Sequence, residues 1–361
     1  MRGTAPIKVG FVLPSSVTNP IPSTRIAALN MLPYLSAAGF DPHVVFEPVM
    51  NTETPDVTGL GRRLKAEGFG IVLFQKVHGQ SVVALARELR AAGIKTVFSV
   101  CDVVAAEMAD LTDATVAVTE YLKSQYPTAL QAKIHVVHDG VERPELHKTD
   151  WGSHSGSRTR PIRAVLVTSV ALDRVPVLAD LPSWLHVTIV GRYPPAGHRL
   201  QRIREAYWQM ARKAGRREQF EFLRFLVHPR IARAAWDAAG VYTAMQKADI
   251  GIIPIETAAA LGAMEGWQVK SENRLTLKMA MGLPVVATPI PSYVPVVRQG
   301  VDALLARTQA EWLSCLSQLR DPEFRRQMGQ QARQTALHKY SMERQAEKLV
   351  AVLRSLCSVK C

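Results

Sequence analysis

Lys270, Ser271, Asn273 and Arg274 combine fixed positive charge with short polar side chains where a helical run begins. A helix start offers free N–H groups and the positive end of the helix dipole, so such a set suits a phosphate or diphosphate. The plainer alternative is an ordinary N-cap by Ser271 or Asn273 with solvated charges around it. Gly282 and Pro284 stop the run, and an apolar strand over 285–288 leads into a second polar turn at Pro289, Pro291, Ser292 and Tyr293.

Other reactive side chains follow apolar runs in the first half. Asn19 and Arg25 lie in or just after a Pro/Ser/Asn loop at 14–22; His78 follows a strand candidate at 70–74, and Asp102 follows one at 95–100. Ligands of open α/β sheets bind at the carboxyl ends of strands, so these side chains form a candidate acceptor wall. A single histidine at such a place is more often structural. Cys101 reads as a buried thiol, since no partner base is evident.

Several chemistries find no support. GLGRRL at 59–64 lacks a preceding strand and a final glycine, so it is no dinucleotide fingerprint. There is no GxxxxGK[ST], no GxSxG and no Asp-x-Asp pair to clamp a metal on a diphosphate. His135 and His138 fall on opposite faces of a probable strand. A metal-independent reaction is the expectation.

The elements that must position these groups alternate strand with helix. In the first half, strands are expected over 9–13, 43–46, 70–74, 95–100, 114–118 and 134–137. Helical runs separate several of them, with 82–92 the clearest. Ser23 or Thr24 is expected to cap a helix ending near Gly39, with Ile26, Leu29 and Leu32 on one face and a kink at Pro33. The polar stretch HKTDWGSHSGSRTR reads as a linker, after which strands are expected over 164–168, 186–190, 220–225, 250–253, 285–288 and 303–305. Residues 309–356 are helical by period. The pattern predicts two doubly wound parallel-sheet domains with an active site in the cleft between them. The boundaries are 1–147, a linker over 148–160, a second domain over 161–340 and a last helix over 341–361.

Length and composition agree with a two-domain globular chain: 361 residues, 47% of them hydrophobic and 21% charged. No apolar run approaches the roughly 20 residues needed to span a bilayer, and the N-terminus reads as a first strand rather than a signal peptide. Cys101, Cys315, Cys357 and Cys361 lack metal spacing, which points to reduced thiols in the cytoplasm. A net charge of +13 favours an anionic partner. Arg192 to Arg217 holds eight basic residues and one acid, Glu205. Leu200, Ile203, Tyr207 and Met210 recur there at helical spacing, so the charges are expected on the outer face of an amphipathic helix. A solvated face is the plainer reading; an anionic membrane or lipid-linked acceptor comes next, ahead of nucleic acid.

Four segments, in order, resemble a GT-B-fold glycosyltransferase of the retaining, family-4-like group that builds bacterial polysaccharides and glycolipids. They are DATVAVTEYLKSQY with KIHVVHDGVE, ADIGIIPI, MAMGLPVVATPIPSY, and the ending from RQGVDALLARTQAEWL to KYSMERQAEKLVAVL. The resemblance implies two Rossmann-like domains facing a cleft, with the last helix crossing back to the first. It implies a nucleotide-sugar donor in the second domain, an acceptor in the first, and no cofactor beyond that co-substrate. Lys270, Asn273 and Arg274 are then expected to neutralise the departing diphosphate, with Ser271, Ser292, Tyr293, Glu256 and Arg174 around the donor. Asn19, Arg25 and His78 would face the acceptor, and Asp102, His78 and Arg274 carry the catalysis. The sequence departs from the family where a pair of glutamates usually flanks the donor helix. The second position is Leu277, and Glu256, Glu265 and Glu272 all miss the spacing of the first. Cys101 stands where the family has a histidine. A catalytically silent nucleotide-binding subunit and a basic membrane- or nucleic-acid-binding scaffold are the competing readings.

Overall fold

A computed structural model describes residues 6–357 apart from Pro176, Ala179, Ala196, Ala214 and 258–265. Glu265 and Cys361 therefore lie outside the described residues. The chain forms two compact units: Met1–Glu142 with Met264–Asn273 and Lys339–Cys361, and Arg143–Ala263 with Arg274–His338.

The first unit opens with β1 (Ile7–Val12), α1 (Pro22–Ala27), α2 (Leu32–Ala37), β2 (Phe40–Phe46) and α3 (Leu60–Ala66). It continues through β3 (Ile71–Gln75), α4 (Gln80–Ala91), β4 (Lys95–Val100) and α5 (Ala106–Leu111). Then come β5 (Ala114–Ala117), α6 (Glu120–Ser124), α7 (Thr128–Gln131) and β6 (Ile134–Val136). The strands pair in the order β2-β1-β3-β4-β5-β6, parallel throughout. Every residue of β3 is buried, as expected of a strand with helices over both faces.

The helix expected from Ser23 to Gly39 is instead three pieces, with a 3-10 turn at Leu29–Met31 between α1 and α2. Pro33 has no N–H to donate, and its ring crowds the carbonyl one turn back, so the chain tightens and restarts rather than bending. Ile21 precedes the first turn, with Pro22 at its opening position. Neither Ser23 nor Thr24 is the cap. Thr24 is buried instead and donates to Gln75 Oε1 at 3.0 Å.

The second unit holds β7 (Ile162–Val167), β8 (Leu185–Gly191), α8 (Arg199–Ala211), α9 (Arg216–Leu226), β9 (Ile231–Ala235) and α10 (Gly240–Lys247). After β10 (Ile250–Ile253) come α11 (Asn273–Ala280), β11 (Val285–Ala287), β12 (Leu304–Leu305), α12 (Gln309–Gln318) and α13 (Pro322–Tyr340). Its parallel sheet runs β12-β11-β10-β7-β8-β9. The last helix, α14 (Met342–Cys357), belongs to the first unit, where Ala346, Leu349 and Leu353 join a core with Val9, Phe11 and Leu35.

Two sequence expectations fail here. Residues 220–225 are not a strand but part of α9. The alternation Phe-Glu-Phe-Leu-Arg-Phe mimics a period of two, yet the good helix formers around it prevail. Phe222 and Phe225, one turn apart, enter the core while Phe220 and Leu223 stay exposed. The sixth strand is β9, whose IARAA carries one large apolar side chain. As an edge strand pairing only with β8, it needs no continuous apolar run. The face of α8 is also reversed from expectation: Leu200, Ile203 and Tyr207 are exposed, and of the four apolar positions named only Met210 packs against the core. The stretch expected as a linker is held in the second unit, where Trp151 Nε1 donates to the Gly282 carbonyl and buried Arg325 donates to the carbonyls of Gly152 and His154.

Candidate active site

Parallel pairing of β3 with β4 sets Gln75 opposite Ser99, so the residues just past both strands emerge together. There Asp102 stands between two lysines. Lys76 Nζ is 2.8 Å from its Oδ1 and Lys270 Nζ is 2.8 Å from its Oδ2. Lys76 also holds Glu53 Oε1 at 2.7 Å, and Glu53 Oε2 lies 3.8 Å from His78 Nε2. The result is a chain of alternating charge, His78–Glu53–Lys76–Asp102–Lys270, confined to the first unit.

The electrostatics favour full ionisation of its centre. Burial alone would raise the Asp102 carboxyl, but the two ammonium groups outweigh it and hold the carboxyl at about 2. Burial likewise opposes the charge on Lys76, yet the Asp102 and Glu53 carboxylates bonded to it hold its ammonium above the usual lysine range. Burial, then the neighbouring Asp102, pushes the Cys101 thiol well above its ordinary value, so it is an inert neutral group at 3.3 Å from Asp102 Oδ1. Lys76 adopts φ 61°, the left-handed region in which a lysine is strained. Its N–H bonds the Ser99 carbonyl at 2.7 Å, so the backbone fixes a conformation that turns the side chain onto the two acids.

The segment after Lys270 is held residue by residue. Ser271 donates to Asp139, and Glu272, 1% exposed, has Oε1 2.6 Å from His138 Nδ1. Burial is the main cause that lifts the Asp139 carboxyl to about 6, with Glu272 and Glu142 adding like-charge repulsion. Arg25 grips Glu142 through two bonds, Nε–Oε1 at 2.7 Å and Nη2–Oε2 at 2.9 Å. Asn19 lies on an exposed turn, its N–H bonded to Ser16 Oγ.

The second unit carries the remaining residues at the carboxyl ends of its own strands. Arg274, in the first turn of α11, donates from Nη2 to Ser169 Oγ at 3.2 Å, just past β7. Arg174, further along the same loop, pairs with Glu256 at 2.7 Å, beyond β10. After β11, Tyr293 is wholly buried, and the Ser292 hydroxyl is buried without a hydrogen-bond partner among the described residues. Below Arg274, Lys278 is 2% exposed and donates to the Arg274 carbonyl at 3.3 Å. Burial, then the nearby guanidinium, depresses its ammonium to about 7.

A protein-family model described as glycosyl transferase-like matches residues 204–351, under half of the 361 residues. In sequence, the chain has no match among curated proteins. Among solved structures it is similar to a glycosyltransferase from Rickettsia africae, with 13% identity, 99% of this chain and 100% of that chain covered, and a TM-score of 0.68. HepE of Anabaena, in complex with UDP and glucose, gives 14%, 97%, 100% and 0.66. Sucrose-phosphate synthase of Thermosynechococcus elongatus gives 12%, 98%, 100% and 0.65. The architecture is the GT-B fold.

Within that GT-B chain the geometry sorts the residues named from sequence. Asp102 and Lys270 touch, and His78 joins them through Glu53 and Lys76. Arg174 and Glu256 touch one another. Arg25 is bonded to Glu142 and Asn19 stays on its exposed turn. Glu53, Lys76 and Ser169 were missed. Lys76 lies two residues past the apolar run that ends at Phe74, so the strand-end rule that found His78 and Asp102 could have found it. Ser169 directly follows the strand expected over 164–168, so the same rule could have found it, whereas nothing in the local sequence marks Glu53.

Proposed function

We propose that the chain is a glycosyltransferase that moves a sugar from a nucleotide-sugar donor to a saccharide or lipid-linked saccharide, without a metal and with retention of configuration. The observation that carries this reading is the glycosyl transferase-like match, because residues 204–351 include Glu256, Arg274 and Ser292. Arg274 supplies a permanent positive charge in the first turn of α11, where a departing diphosphate is best stabilised. The buried Ser292 hydroxyl, without a partner among the described residues, is a hydrogen-bonding group that a donor can satisfy. In the first unit, Asp102 is the carboxylate held ionised at neutral pH, suited to orient an acceptor hydroxyl or to stabilise positive charge on the sugar ring. Lys76 and Glu53 position it, and His78 and Asn19 lie on the acceptor side. The same reading places the protein in the cytoplasm, peripheral at the inner face of an anionic membrane. No helix among the described residues is long and apolar enough to cross one.

HepE has been seen with UDP-glucose, which makes UDP-glucose the first donor to try. Release of free nucleoside diphosphate is followed over uridine, guanosine and deoxythymidine diphosphate sugars, with a cell-envelope extract as acceptor. One donor is expected to turn over, and Arg274→Ala to slow it about a hundredfold or more. A second reading, a nucleotide-binding subunit without catalysis, is favoured by Leu277 in place of the family glutamate. Donor-dependent thermal stabilisation with no diphosphate release from any donor selects that reading and rejects the transferase.

A further inference from the structure

The proposed chemistry makes no use of the outer surface of α8 and α9. On α8, Leu200, Ile203, Tyr207 and Trp208 are 84%, 67%, 61% and 58% exposed. On α9, Phe220 and Leu223 are 68% and 44% exposed, and Val227, which caps its end, is 78% exposed. The spacings 200, 203, 207 and 220, 223, 227 each mark one stripe of a helix, so these are continuous apolar faces rather than scattered residues. Their opposite sides are occupied, since Met210, Phe222 and Phe225 pack into the sheet core. Stripes of this kind on a folded unit call for a partner.

The surrounding charge says which partner. Arg204, Arg212, Arg216 and Arg217 are exposed alongside the stripes and outnumber the exposed acids of α9, Glu218 and Glu221, the latter bonded to Arg217 at 3.1 Å. Tyr207 and Trp208 meet edge to face at 6.2 Å, a pair of amphipathic rings of the kind that settles at the boundary between headgroup and acyl chain. Apolar stripes, interfacial aromatics and flanking arginines together match an anionic phospholipid surface. A second copy docked face to face would set arginine against arginine.

We propose that α8 and α9 form the surface by which the chain inserts shallowly into an anionic bilayer. The residues around 200–208 and 220–227 enter the acyl boundary, and the arginines pair with lipid phosphates. This assigns a surface to the peripheral membrane location in the functional reading and rests on that part of it.

The test is flotation of the full chain with vesicles of phosphatidylcholine alone or with about a third phosphatidylglycerol. The protein is expected to float only with the anionic vesicles and to be released by high salt. Ile203→Glu with Phe220→Glu is expected to lower partitioning at least tenfold. Arg212→Gln with Arg216→Gln and Arg217→Gln is expected to lower it about a hundredfold, at about tenfold per 1.4 kcal/mol. Both variants should keep the parent's melting temperature and its release of nucleoside diphosphate with a water-soluble acceptor. The inference is overturned if the parent stays unbound to anionic vesicles, or if the Ile203/Phe220 variant floats as well as the parent. A parent that sediments as a dimer, split by that variant, assigns the surface to a second copy instead. Vesicle binding without any diphosphate release leaves this inference standing and removes only the transferase.

Discussion

Three ionisable groups at least partly buried show how differently one fold treats charge. Asp102 is half-buried between two ammonium groups and is held at about 2; Asp139 is buried among acids and rises to about 6; Lys278 is buried beside the Arg274 guanidinium and falls to about 7. Only in the first do the surroundings favour the charged form over the neutral one, which is why it is the carboxylate with a proposed chemical role. The other two carry penalties of opposite pH dependence. The folded value of Asp139 lies above its unfolded value of 3.8, so its stabilising contribution is present below 3.8 and lost as pH rises through about 6. For Lys278 the folded value lies below 10.5, so the contribution is lost as pH falls from there to about 7. Asp139→Asn is therefore expected to stabilise the protein at pH 8, by about 3 kcal/mol at most, and to change little at pH 4. Lys278→Met should stabilise most at pH 6 and least near pH 10. Urea melts of the parent and both variants across pH 4–10 measure this; gains independent of pH would show that cavity or packing changes govern instead.

At the scale of elements, α9 is the informative case, because the same six residues can be laid out as a strand or a helix. In a strand Phe220 and Phe222 share a face; in α9 they do not, and Phe222 is 2% exposed while Phe220 is largely open. Phe222→Ala should cost about 3–5 kcal/mol, the usual range for emptying an aromatic site in a core. Phe220→Ala should stay within about 0.5 kcal/mol. Equal losses from the two, measured by chemical unfolding, would contradict the helix. The broken helix at 22–37 has the same origin: local covalent geometry at Pro33 decides where regular structure stops, and the apolar faces adapt to it.

For the whole molecule, the first unit is not contiguous in sequence. Its sheet lies within residues 7–136, but one side of its core is closed by α14, more than two hundred residues later. Without that helix, β1 and α2 would expose Val9, Phe11, Leu13 and Leu35, all fully buried in the intact protein. A fragment of residues 1–142 is accordingly expected to lack a cooperative thermal transition and to bind a hydrophobic dye. Adding a peptide of residues 339–361 should restore part of the transition. A fragment that melts cooperatively alone would show that α14 is dispensable to that core.

The sequence by itself determined the repeating strand–helix order, because apolar β-branched runs and helical periodicity are local properties that survive without knowledge of neighbours. It also determined that His78 and Asp102 follow strands, since a strand end is legible from where the apolar run stops, and that Arg274 stands at a helix start; Arg174 came only from the family resemblance. Tertiary structure alone decided how those residues are partnered. Lys76 becomes part of the charge chain through a left-handed backbone turn, and Glu53 enters from a loop without regular structure. Lys270 reaches Asp102 across 168 residues of sequence. The outward face of α8 was likewise undecidable from its pattern, because an apolar stripe reads the same whether it meets a protein core or an external surface. Periodicity records that a face is apolar; only the packed neighbours fix what it faces.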